Sequence, residues 1–201
     1  MPRTATPDVL TLFDALVYTC QYRLVIDPAS SALARVMDWK QQLRERIGLF
    51  DGLLQMPGIV LFEAELPPDY ERDLCDGIQR GATGRTPFQL QLNGVAHSAD
   101  RKTIFVAVEE LSAVLPLRDR MVDHVRANRR IKKLGVKVVE RPVLPIATGL
   151  KPDEFTIAWD LLTPHVFTSE QRVNDVVLMK RELANDSMDE HVRTFPLWPQ
   201  Q

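Results

Sequence analysis

Met56-Pro-Gly-Ile-Val-Leu-Phe62 and Arg141-Pro-Val-Leu-Pro-Ile-Ala-Thr-Gly-Leu150 are the two stretches whose reading decides the fold of this chain. Each reads as a short buried strand opened by a proline, whose fixed φ and missing N–H suit the start of a strand rather than its middle. Pro57 and Pro142 stand about 85 residues apart, one in each half of the chain. A repeated strand of this kind predicts two lobes that each contribute one strand to a shared centre.

Composition sets the frame around them. With 201 residues, 45% hydrophobic and 26% charged, the chain is long enough for one large domain or two packed lobes. A net charge of −2 and a pI near 6.1 provide no global field that would draw it to nucleic acid or a membrane surface. Cys20 and Cys75 lie far apart without metal-ligand spacing and read as two buried free thiols. No apolar run approaches the roughly 20 residues that span a bilayer. The start lacks the charged head and apolar run of a signal peptide, so a cytoplasmic location is expected.

Outward from the two strands, the periodicities alternate. Residues 1–17 read as an N-terminal extension, disordered at first and then a short helix from Asp8 with Val9, Leu12, Phe13 and Leu16 on one stripe. Residues 18–201 read as a single bilobal domain. Tyr18 to Asp27 is a strand, followed by a helix capped at Ser30 or Ser31 and stopped at Gly48. Leu33, Val36, Met37, Leu43 and Ile47 form its predicted buried stripe, with Lys40, Arg44, Glu45 and Arg46 on the wet side. Pro67-Pro68 with Asp69 and Glu71 opens a second helix that Gly81 and Gly84 should break. Phe88, Leu90 and Leu92 alternate with glutamines as a half-buried strand, Asn93-Gly94 reads as a turn, and Thr103 to Val108 as another strand. A helix over 111–127, a strand near 136–140, a helix from Lys151 and strands over 173–181 and 192–197 complete the order, with a turn at Asn185-Asp186-Ser187.

This order and five local stretches resemble the 2H phosphoesterase superfamily, the 2′-5′ RNA ligase-like or LigT-like proteins. The stretches are Tyr22-Arg-Leu-Val-Ile-Asp-Pro28, Pro57 to Phe62, Thr103-Ile-Phe-Val-Ala-Val108, Pro142 to Leu150, and Val176-Val-Leu-Met-Lys-Arg181. Together they span about residues 20–198, although each is short. The resemblance implies an α+β fold, bilobal, with two mainly antiparallel sheets, helices on their outer faces and a central cleft. It also implies a His-x-Thr motif on each proline-led strand. Residues i and i+2 of a strand face the same way, so one His and one Thr from each lobe would enter the cleft. There the two imidazoles act as general base and acid on a phosphodiester.

Carried onto this chain, His and Thr become Gly58 and Val60 in the first motif and Val143 and Pro145 in the second. None of these side chains transfers a proton or donates a hydrogen bond. No catalytic residue is therefore assigned, and no cofactor or metal is expected. Strict alternation adds Phe62, Ala64, Ala147 and Gly149 to the expected cleft lining, and Tyr22 on the neighbouring strand joins them. His97, His124, His165 and His191 are scattered, with no nucleophile, carboxylate motif or phosphate loop around them, and read as solvated positions.

A basic stretch remains. Between Leu117 and Arg141 stand nine cations and three acids. Arg126, Arg129, Arg130, Lys132 and Lys133 form its centre and are the candidates for phosphate contact. Without interleaved aromatics to stack bases, the favoured reading is a solvated helix end, so nucleic acid is possible but not preferred. Three functions follow in order: a non-catalytic 2H-like protein whose apolar cleft takes a small ligand, nucleotide or protein partner; a cyclic phosphodiesterase or RNA ligase-like enzyme using non-standard residues; and an assembly protein docking through residues 8–16. No membrane partner is expected, and the oligomeric state is open.

Overall fold

A computed structural model describes residues 19–183 and 188–198, with the side chain of Lys133 left out. The predicted helix at 8–16 and the turn at 185–187 lie outside the described residues. In chain order the elements are β1 (Cys20–Ile26), α1 (Ser30–Ile47), β2 (Ile59–Leu66), α2 (Glu71–Ala82), β3 (Phe88–His97), β4 (Ile104–Val108), α3 (Val114–Arg126), β5 (Val136–Val138), β6 (Leu144–Ala147), α4 (Pro152–Leu162), β7 (Thr168–Val173), β8 (Asp175–Glu182) and β9 (Glu190–Pro196). They build two antiparallel sheets, ordered β5-β2-β1-β8-β9 and β6-β4-β3-β7. Among the described residues no helix is long and apolar enough to cross a membrane.

Each sheet buries one face under a helix pair. On the five-stranded sheet, α2 and α3 pack tightly together. The reason lies in the α2 sequence, where Gly77 and Gly81 present bare backbone to α3. A Cβ at Gly81 would stand 2.7 Å from the Met121 Cα, and one at Gly77 would stand 2.9 Å from the Val125 Cα. Gly81 therefore does not break α2, as its sequence suggests, but lets a second helix approach it. On the four-stranded sheet, α1 and α4 pack against each other, and α1 also meets β6.

Several local expectations shift. In α1 the buried face is Ala32, Val36, Trp39, Lys40 and Leu43, while Met37 is exposed. The helix is rotated so that Lys40 points inward, because its ammonium finds carbonyl partners there. Asn93-Gly94 does not turn the chain. It forms a bulge inside β3, with Gly94 at φ +71° and its N–H donating to the Phe167 carbonyl (2.8 Å). The strand expected over 173–181 is two strands, β7 and β8, joined at Asn174 as the chain passes between sheets. Polar alternation in Thr168-Ser-Glu-Gln-Arg172 had hidden β7. Cys20 and Cys75 are both free and buried.

Candidate functional site: a closed cleft and the pocket beside it

The site is built where β2 approaches β6. Just before β2, Gly58 lies against β1: a Cβ placed there would come within 3.1–3.3 Å of three Val25 side-chain atoms. Val60 is the register partner of Val25, and both face the cleft with Arg23 and Glu63. On β6, Pro145 pairs with Phe105, and alternation puts Val143 on the same side. Val60, Val143 and Pro145 are half-buried and Gly58 is buried.

Both strands then carry the same irregularity. The β1–β2 register runs Leu24↔Phe62 and then Val25↔Val60, leaving Leu61 as an extra residue. The β4–β6 register runs Ile104↔Ala147 and then Phe105↔Pro145, leaving Ile146 extra. Such a bulge reverses the phase of alternation. Phe62, Ala64 and Tyr22 consequently face the helix layers and not the cleft, against the expectation from strict alternation, whereas Ala147 borders the small cavity between the strands. Tyr22 shows the consequence most clearly, as its hydroxyl donates to Glu71 of α2 (3.1 Å), which also pairs with Lys180. Burial beside the Glu71 carboxylate holds the phenol well above its ordinary range. Gly149 is exposed, at φ +67°, and would clash with Asp51 if it bore a Cβ.

The space between the two strands is nearly filled. A cavity of about 20 Å³ lies there, bounded by Arg23, Lys40, Gln55, Pro145, Ala147 and Thr148 among others. The loop after α1 closes it from one side: the Thr148 N–H and hydroxyl both donate to the Asp51 carbonyl (3.2 and 2.9 Å). Lys40 holds the same loop by donating to the carbonyls of Gly52 (2.6 Å) and Gln55 (2.8 Å). Burial, and secondarily the nearby Arg23, push its ammonium down to about 8. Arg23, itself buried, donates to Gln55 Oε1 (3.2 Å) and makes an ion pair with Asp189, which also accepts the Met56 N–H (3.0 Å). Nothing local in the sequence signals this pair, since 166 residues separate its members.

Next to the closed end lies an open pocket of about 360 Å³, lined by Val25, Leu33, Met56, Pro57 and Met179, with Asp27, Ser30 and His191 also at its walls. Its size falls in the range of small-molecule sites, and its lining is mostly apolar. Burial and then the neighbouring Asp175 raise the Asp27 carboxyl, against the pull of His191. His191 sits 2.9 Å from the Thr194 hydroxyl.

This arrangement of two antiparallel sheets and facing strands has counterparts among solved structures. TT0787 of Thermus thermophilus superposes with a TM-score of 0.61 at 15% identity, over 88% of this chain and 97% of that one. E. coli LigT complexed with 3′-AMP gives 0.59 at 12% identity, over 89% and 98%. The chain has the LigT-like fold. A further phosphoesterase structure gives 0.51 at 13% identity, over 88% and 97%. No family model and no curated protein matches the sequence.

Within this LigT-like frame, the four histidines occupy separate places. His97 packs edge-on against Phe155 and Trp159 of α4, and His165 lies beside Trp39. His124 is in the last turn of α3, and His191 is on β9 at the open pocket. Among the described residues no group of three or more His, Cys, Asp or Glu could hold a metal ion. Part of the basic stretch is engaged in holding the fold. Arg118 donates to the Val139 and Glu140 carbonyls (2.7 and 2.9 Å) and Arg126 to that of Val136 (2.9 Å). Arg130 pairs with Asp73 (2.7 Å) and stacks over Tyr70. Arg129 and Lys132 are exposed, and the Lys133 side chain lies outside the described residues.

Proposed function

We propose that this chain is a non-catalytic 2H phosphoesterase-like protein that binds a small, largely apolar ligand in the pocket bounded by Val25, Leu33, Met56, Pro57 and Met179. The observation that carries this reading is the contact of Val25 with Gly58. A histidine at Gly58 would have its Cβ tight against three Val25 side-chain atoms, so the first motif lacks the imidazole, and Val25 would have to shift to admit one. Val60, Val143 and Pro145 add no group that moves a proton, and a cavity of about 20 Å³ between the strands holds no more than a water. Phosphodiester chemistry of the 2H kind needs two proton-transferring groups converging on one phosphate, and the four histidines do not converge. What the fold keeps is a concave apolar surface with few polar groups.

Two measurements test this. Hydrolysis of 2′,3′-cyclic nucleotides should show no turnover above background; turnover that disappears in His191→Ala would sink the non-catalytic reading. Thermal-shift screening against small apolar molecules should yield stabilising compounds whose effect is lost in Met179→Trp, which fills the pocket. Compounds that stabilise both proteins equally would place binding elsewhere.

A further inference from the structure

Among the described residues, β7 is the least covered margin of the two sheets. At the other margins, β5 lies against α3, β6 against α1 and β2, and β9 against α2, whereas β7 packs substantially only on β3. Its register with β3 is unbroken from Phe88↔Val173 to Asn93↔Thr168. It lacks three common protections of an open edge, since it contains no proline, lysine or bulge. Thr168, Glu170 and Arg172 are exposed on its cleft face. On the other face, Gln171 accepts from the Ala29 N–H and donates to the Asp27 carbonyl (2.7 Å) at the start of α1, which holds its side chain clear of the edge plane.

We propose that β7 is a self-association edge, through which two copies of this chain pair antiparallel about a two-fold axis at Gln171. In such a pair, residues directly opposite one another face the same side of the sheet, and an isologous contact sets each residue before and after the axis against its counterpart. Glu170 then stands opposite Arg172 of the second copy, and Arg172 opposite its Glu170. Ser169 meets Val173, and Thr168 meets Asn174. Moving the axis by one residue toward the N-terminus sets Glu170 against Glu170; moving it the other way sets Arg172 against Arg172. Opposite charges across strands stabilise a pair and like charges oppose it, so the charge pattern selects one register out of three. The four-stranded sheet would continue from one copy into the next. Main-chain bonds from a single short edge bury less than the roughly 1,600 Å² of a standard interface, so the dimer is weak, with a Kd on the order of micromolar, and loosens with salt.

Sedimentation velocity over a concentration series tests it. The wild-type chain should shift from monomer to dimer. Glu170→Arg and Arg172→Glu should each weaken the dimer by about tenfold, and the double reversal should restore it. Because both side chains are exposed, all three variants should keep the wild-type melting temperature. Hydrogen exchange of the β7 amides should slow with concentration in the wild type and the double variant only. A monomer at every concentration, a dimer indifferent to the single reversals, or a double variant no stronger than the singles would each overturn the proposal.

Discussion

The closed end of the cleft and the open pocket share Met56 and Pro57 in their walls, yet they differ in free space and in the side chains packed around them. Around the closed end Arg23, Asp189, Lys40 and Gln55 are joined by hydrogen bonds, and the free space is about 20 Å³. The open pocket is apolar and about 360 Å³. Where β2 and β6 come together, this chain has a buried ion pair and packed loops. The neighbouring concave surface is left unfilled. Buried charges cost several kcal/mol to desolvate unless paired, so the closed end holds its shape only while every partner is present. The pocket has no such constraint, and changes there should be tolerated by the fold.

The largest effect should come from breaking the ion pair. Asp189→Ala leaves the buried Arg23 with Gln55 as its remaining side-chain partner, and should cost about 3 kcal/mol in denaturant unfolding. A loss below about 1 kcal/mol would mean that solvent reaches Arg23 and that the closed end is not closed.

Next in size is the attempt to rebuild the motif. Gly58→His should cost about 2–3 kcal/mol by overpacking against Val25, and Val25→Ala added to it should recover most of that loss. Additive costs in this double-mutant cycle would remove the steric argument. Neither variant should hydrolyse cyclic phosphodiesters.

Lys40 gives a pH signature of similar scale. Its folded pKa, about 8, lies below the ordinary 10.5, so between these values the unfolded chain binds more protons and stability rises with pH. Its contribution is present above 10.5 and lost as pH falls through 8. The wild type should gain about 2 kcal/mol from about pH 8 to about pH 10 relative to Lys40→Met. Parallel pH profiles for the two proteins would show that the ammonium is solvated.

The smallest effect belongs to the pocket. The Asp27 carboxyl is raised, so its contribution is full below the ordinary 3.8 and is lost as pH rises through the folded value. Asp27→Asn should be more stable than wild type near neutral pH by a few tenths of a kcal/mol, because the group is partly exposed to solvent. A destabilised variant would indicate that the carboxylate makes a structural contact.

Much of the fold was legible because it rests on local patterns. The proline-led starts of β2 and β6, the Pro-Asp-Glu opening of α4 and the spacing of Tyr70, Leu74 and Ile78 are short-range signals with direct steric or helix-dipole causes. β7 was missed because its exposed edge carries polar residues on both faces, and alternation has nothing to report there. At the site, Gly58, Val60, Val143 and Pro145 could be singled out from the sequence, but the orientation of Phe62 and Tyr22 could not. One extra residue at Leu61 inverts the face of all that follows, and a bulge leaves no mark in composition.

The sequence alone thus determined most of the element order, the two-lobed plan and the absence of imidazole and hydroxyl at Gly58, Val60, Val143 and Pro145, since each depends on local patterns or on residue identity at a fixed spacing. Only the tertiary structure decided that the cleft is closed, that Lys40 turns inward, and that Arg23 meets Asp189 across the fold. Those facts depend on which distant carbonyls and carboxylates arrive at a buried cation, and a contact spanning 166 residues is set by sheet register and packing rather than by any local rule.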